Sequence, residues 1–168
     1  MLSESARMTT AEEARHRVDY PNSKPRAVKV VALDPPSEAV VKRLAQGDWQ
    51  RATFLTVHDS GAPGGEGWSM KAWLADLAGR TKDLVDEVAT ADLVVMISSA
   101  GTSPEAAALI AEACNARKVM TTALIVGSQS KSDEELSKTL GALRPYVSML
   151  VIASNDEYIE TMLVALRA

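Results

Sequence analysis

The stretch Ser98-Ser99-Ala100-Gly101-Thr102-Ser103-Pro104-Glu105 gathers four hydroxyls, one glycine and a proline at the point where an apolar run ends. Hydroxyl donors and the free N–H groups of a helix start are what an anion needs, so the loop has the chemistry of an anion cradle. The same residue types also make an ordinary strand-to-helix turn. The loop has no Lys or Arg, Glu105 closes it, and Asp34 ends an earlier apolar run. A triphosphate there would meet two carboxylates and no cation unless Mg²⁺ bridged them, whereas a neutral or singly phosphorylated ligand is easier to hold. The ligand-binding candidates are therefore Ser98, Ser99, Gly101, Thr102 and Ser103, with Asp34 opposite.

The remaining candidates carry less. His58-Asp59 ends an apolar run and has the types of an acid/base pair, but neighbours on an extended chain point to opposite sides. A polar loop start explains the pair as well. Cys114 stands late in a helical pattern among alanines and reads as a small core residue. Trp68 and Trp73 follow the one glycine-rich loop, His58–Trp68, and could anchor it, cover a ligand or form a dimer contact. The chain has two histidines, His16 and His58, and no metal-ligand spacing, so no metal is expected. Ser-His-Asp spacing, G-x-G-x-x-G and G-x-x-x-x-G-K-[ST] are all missing. No catalytic residue is assigned. If any chemistry were present, Asp34, His58 and Glu105 would be the groups to test.

The elements that must position these groups alternate. Ala27–Leu33 reads as a strand stopped by Asp34-Pro35-Pro36, with Ser37 as the cap of a helix carrying Val40, Val41 and Leu44. Ala52–Val57 is a second strand. A helix is expected from Ser69 to about Thr90, interrupted near Gly79. Asp92–Ser98 is apolar on both faces, as a central parallel strand should be, and leads into a third helix with Ser103 as its cap and Pro104 in its first turn. Val119–Val126 is a fourth strand. Ser132-Asp133-Glu134-Glu135 is a capping box opening a helix that ends near Pro145. Val147–Ala153 is the last strand, and Asp156–Arg167 closes the chain as an amphipathic helix.

Strand–helix alternation predicts an α/β, three-layer Rossmann-like sandwich with a five-stranded, mainly parallel sheet in the order 2-1-3-4-5. That order places a ligand beyond the carboxyl ends of the first and third strands, beside Asp34 and 98–105. Residues 1–25 read as a flexible N-terminal arm and 26–168 as one domain. The 168 residues, 46% hydrophobic and 24% charged, are an ordinary globular mix, with no disulfide needed to hold a core. A net charge of -4 argues against nucleic acid as a partner. The absence of an 18-residue apolar run argues against a membrane, and a single cysteine fits a cytoplasmic protein.

Val88–Val126, VATADLVVMISSAGTSPEAAALIAEACNARKVMTTALIV, resembles the nucleotide-binding domain of the FtsZ/tubulin family. Leu140–Met162 continues the resemblance through a strand end, Asn155-Asp156, that matches the family's Asn-Asp and adds Asn155 to the ligand-binding candidates. The resemblance implies a Rossmann-like fold and a nucleotide as ligand. The family's glycine-rich phosphate loop is replaced by Ala100-Gly101-Thr102-Ser103-Pro104, and its second domain has no counterpart, so a degenerate, truncated domain without GTPase activity is expected. Ile97–Glu105 is also similar to the signature of sugar isomerase (SIS) domains, which implies a sugar phosphate held by Ser98, Ser99, Thr102 and Ser103. The leading expectation is a non-catalytic domain that binds a phosphate-bearing ligand at 98–105. The alternatives are a phosphosugar-binding or isomerase domain of SIS type, and a homo-oligomeric interaction protein with a vestigial pocket.

Overall fold

A computed structural model describes residues 24–57, 74–78, 80–153 and 155–168. The chain forms a mixed, mostly parallel sheet covered by helices on both faces. The strands are β1 (Val28–Ala32), β2 (Ala52–Val57), β3 (Leu74–Asp76), β4 (Thr81–Lys82), β5 (Leu93–Ser99), β6 (Met120–Val126) and β7 (Met149–Ile152). The helices are α1 (Pro35–Leu44), α2 (Leu84–Ala89), α3 (Ala106–Arg117), α4 (Asp133–Leu143) and α5 (Asp156–Ala165). Among the described residues the sheet has seven strands rather than the five expected, in the order β4-β3-β2-β1-β5-β6-β7. The expected order 2-1-3-4-5 describes only its five parallel strands; β3 and β4 add an antiparallel ribbon beyond β2.

That ribbon overturns the helix expected from 69 to 90. Leu74 and Ala75 are buried against the sheet, and the Asp76 carboxylate ties the turn by accepting from the Ala78 N–H (3.0 Å), the Arg80 N–H (2.9 Å) and Arg80 Nε (2.7 Å). Among the described residues of that stretch only Leu84–Ala89 is helical, capped by Asp83, whose Oδ1 accepts from the Val85 N–H at 2.8 Å. Tertiary pairing here outweighs the local pattern. The glycine-rich loop, His58, Asp59, Trp68, Trp73 and residues 1–23 of the expected arm lie outside the described residues.

Each face of the sheet buries its own apolar cluster. One joins Val31, Val94, Met96, Ala123 and Ile125 to α2, α3 and α4 through Leu84, Ile110 and Leu143. The other joins Val30, Val95, Ile97 and Leu124 to α1 and α5 through Val41, Leu44, Ile159 and Leu163. β5 lies at the centre and is buried from Leu93 to Ser98, which is why its residues are apolar on both faces. Lys29 interrupts the apolar run of β1, and its ammonium is matched by Glu87 of α2 at 2.8 Å.

Two caps differ from expectation. Asp34, not Ser37, is the N-cap of α1, and Ser37 sits three residues in as its reciprocal partner. Pro35 and Pro36 lie inside the first turn, where a missing N–H costs nothing. Likewise α3 starts at Ala106 with Glu105 as N-cap and no side-chain cap bond, so Ser103 is not its cap. The Ser132–Glu135 capping box of α4 is present as expected. No helix among the described residues is long and apolar enough to cross a membrane.

Candidate functional site at the β1 and β5 ends

β1 and β5 are parallel neighbours, so the loops leaving their carboxyl ends meet. There Asp34 becomes the hub of the expected site. Its Oδ1 accepts from the Ser37 N–H (3.0 Å) and Ser99 Oγ (2.8 Å). Its Oδ2 accepts from the Ser99 N–H (2.8 Å) and Ser98 Oγ (3.1 Å), with Thr102 Oγ1 at 3.3 Å. Each hydroxyl has one proton to give. Thr102 is closest to the Ser99 carbonyl, at 2.7 Å, and lies 2.9 Å from Ser98 Oγ, so its proton goes to the carbonyl. Four donors then remain on the carboxylate, which is about the number of lone-pair sites a carboxylate offers.

The arrangement is an anion cradle whose anion is the protein's own. Asp34, Ser98, Ser99 and Thr102 are brought together as the sequence suggested, but they bond to one another. The backbone of the loop is engaged in the same way. Ala100 N–H donates to the Val126 carbonyl (2.9 Å), Thr102 N–H to the Ser99 carbonyl (3.3 Å) and Ala107 N–H to the Pro104 carbonyl (3.2 Å). Ser103 and Glu105 are exposed at the rim. Asn155 caps α5, its Oδ1 accepting from the Tyr158 N–H at 2.9 Å.

Two residues that sequence reasoning missed complete the loop. Thr139 of α4 is fully buried; its Oγ1 accepts from the Gly101 N–H (2.9 Å) and donates to the Thr102 carbonyl (2.8 Å). A single hydroxyl thus staples the loop to α4. The available signal was a threonine on the apolar face that Leu136, Leu140 and Leu143 define. The second is Lys131. Gly101 takes φ +89°, a conformation open to glycine, and a Cβ there would meet Glu135 Oε1 at 3.3 Å and Lys131 Nζ at 3.6 Å. Lys131 brings the cation that the loop itself lacks, and it is paired to Glu135 at 3.3 Å. The Ser132 N–H foremost, with Lys131 beside it, holds the Glu135 carboxyl below the usual glutamate range.

Cys114 is buried in α3, and burial pushes its thiol up to about 11, which makes it inert. Among the described residues no group of three His, Cys, Asp or Glu side chains could hold a metal.

No family model matches the chain, and no curated protein matches it. Among solved structures, the fold is similar to translation elongation factor SelB from Methanococcus maripaludis. The form in complex with the GTP analogue GppNHp superposes with a TM-score of 0.51 at 10% identity, over 85% of this chain and 34% of that one. The apo form gives 0.50 at 9% identity, over 85% and 36%. The chain spans about a third of the length of these factors. At such identity the likeness is one of fold alone. Neither structure is of the FtsZ/tubulin or SIS type.

Proposed function

We propose that this chain is a non-catalytic interaction domain built on a Rossmann-like scaffold, with its ligand loop closed by an internal carboxylate. The observation that carries this reading is Asp34. Its charge stands at the carboxyl ends of β1 and β5, where a phosphate would sit, and it uses the Ser98 and Ser99 donors that the phosphate would need. A phosphate group entering would face an unneutralised carboxylate and would have to break at least three bonds to it. On this reading the FtsZ/tubulin likeness of 88–126 and the SIS likeness of 97–105 are likenesses of scaffold, without the phosphate chemistry.

A second reading is supported by Lys131. A phosphate-bearing ligand, a nucleotide or a sugar phosphate, would lie outside the clasp, between Lys131 and the exposed Ser103. Its binding would require Lys131 to leave Glu135.

A thermal-shift panel of GTP, GDP, ATP and several sugar phosphates, with and without Mg²⁺, separates the two. A ligand at ~100 times its dissociation constant adds ~2.7 kcal/mol, which is several degrees for a chain of this size. The interaction-domain reading expects no shift from any of them. A shift abolished by Lys131→Ala or Ser99→Ala would overturn it in favour of a ligand site.

A further inference from the structure

We propose that a second copy of this chain docks antiparallel against β7 and α4, joining the two sheets into one across a two-fold axis. The inference rests on the reading of the chain as an interaction domain and names the surface and the partner.

β7 is the last strand of the sheet, so one side of its backbone has no ladder partner within the sheet. Such edges are normally blunted by charge or proline. Here the strand is Met149-Leu150-Val151-Ile152, with no charge and no proline. Met149 is 40% and Ile152 44% exposed. On the α4 side, Leu140, Arg144, Val147, Ser148, Leu150 and Ile152 line a groove of about 570 Å³ along this edge. A two-fold through Val151, perpendicular to the sheet, keeps each face on its own side. It sets Leu150 of one copy opposite Ile152 of the other, twice.

α4 says which partner fits. It lies over β6 and β7, with Leu143 in the core and Leu140 in the groove. Two copies of it then stand roughly two strand spacings apart, about 10 Å. That is an ordinary distance for packed helices, reached most easily where side chains are small. Gly141 lies in α4, is exposed, and a Cβ there would meet nothing within 4 Å. Nothing among the described residues requires a glycine at this helix-weakening position. The charges are self-complementary as well. Asp133 and Glu134 are exposed at the start of α4 and Arg144 just beyond its end, and none of the three is ion-paired among the described residues. An antiparallel copy brings each acidic end beside the other copy's Arg144, whereas a parallel copy sets like charge on like.

The test is the mass in solution, by sedimentation velocity over a concentration series. The full chain should run as a two-chain species that dissociates on dilution. Gly141→Leu has open space around it among the described residues of the single chain, so circular dichroism should stay that of the wild type while the dimer weakens by about tenfold or more. Arg144→Glu should weaken it comparably through like-charge contact, and Glu134→Arg combined with Arg144→Glu should restore it. A monomer at every concentration would overturn the proposal, as would a dimer indifferent to both Gly141→Leu and Arg144→Glu. A monomer that also ignores the phosphate panel removes this interface and leaves the interaction-domain reading standing. A ligand-induced shift in that panel removes the reading itself, whatever the mass.

Discussion

Replacing Asp34 by alanine is the sharpest perturbation available, because one carboxylate caps α1 and ties two loops together. The N-cap bond to the Ser37 N–H, at 3.0 Å, is lost first, and a lost cap costs about 1 kcal/mol. Three further donors converge on the same group: the Ser99 N–H and Ser99 Oγ at 2.8 Å and Ser98 Oγ at 3.1 Å. A hydrogen bond to a charged group contributes about 1.5–3 kcal/mol when buried, and the half-exposure of Asp34 argues for about 1 kcal/mol each. The sum is about 4 kcal/mol, a large share of the roughly 5–15 kcal/mol that holds a domain folded. At about 2–4 °C per kcal/mol for this size, Asp34→Ala should melt about 12 °C below the wild type. Asp34→Asn keeps one acceptor oxygen but turns an amine toward the donors, and should fall between the two. Urea unfolding of wild type, Asp34→Ala, Ser99→Ala and the double variant closes a thermodynamic cycle. The coupling between Asp34 and Ser99 should be about 1 kcal/mol, from the Ser99 hydroxyl bond alone, because Ser99→Ala keeps the backbone N–H that also binds the carboxylate. A loss no larger than that of an isolated N-cap, with additive singles, would refute the clasp and with it the case for a self-occupied anion site.

The other predictions test the groups around that clasp. Thr139→Val keeps the volume but removes both bonds to the loop, and should cost about 2 kcal/mol through a donor and an acceptor left unpaired; hydrogen exchange should show the Gly101 amide losing protection while β5 amides keep theirs. The Cys114 thiol should stay silent toward a soluble thiol reagent at neutral pH and react only once the chain is unfolded in denaturant, because it is buried and its thiolate is disfavoured. Glu135, whose folded carboxyl titrates low, adds stability that is fully present above the ordinary glutamate pKa and is lost as pH falls through the folded value. Acid titration followed by NMR should therefore find the Glu135 transition below that of unfolded glutamate, and Lys131→Ala should move it upward.

The parallel core of the fold was legible because its signals are local or short-range. β5 is buried on both faces and reads as an apolar run, β6 is buried from Thr121 to Val126 and ends in the apolar Ala123–Val126, and the Ser132–Glu135 capping box spans four residues. The β3–β4 ribbon was not legible. Leu74, Ala75 and Leu77 fit a helical stripe as well as a strand, and what decides between them is pairing with β2, a partner some twenty residues earlier. The caps at Asp34 and Glu105 were missed because each loop offers a serine beside proline. Aspartate caps as well as serine and prolines are tolerated within the first turn, so α1 starts upstream at Asp34, whereas α3 starts downstream and leaves Pro104 outside the helix.

The candidate site was legible in membership and not in meaning. Composition alone places Ser98, Ser99 and Thr102 in a hydroxyl-rich loop and Asp34 across from it. It cannot say whether the hydroxyls face a ligand or each other, because that depends on the register of β1 against β5, which pairs residues 65 apart such as Val28 with Leu93. In this register Asp34 falls level with Ser98 and Ser99, within 3.1 Å of both hydroxyls. A serine-rich strand end therefore has two outcomes set by one position on the neighbouring strand. With a glycine there the donors stay available to an external anion; with an aspartate they are consumed by an internal one. The same loop that elsewhere on this scaffold could open a ligand site serves here to join β1, β5 and α4, through Asp34 on one side and Thr139 on the other. On the proposed reading, a loop tied down on both sides leaves recognition to the periphery, and the apolar β7 edge with α4, where Met149 and Ile152 are exposed, is the part of the described surface on which that proposal stands or falls.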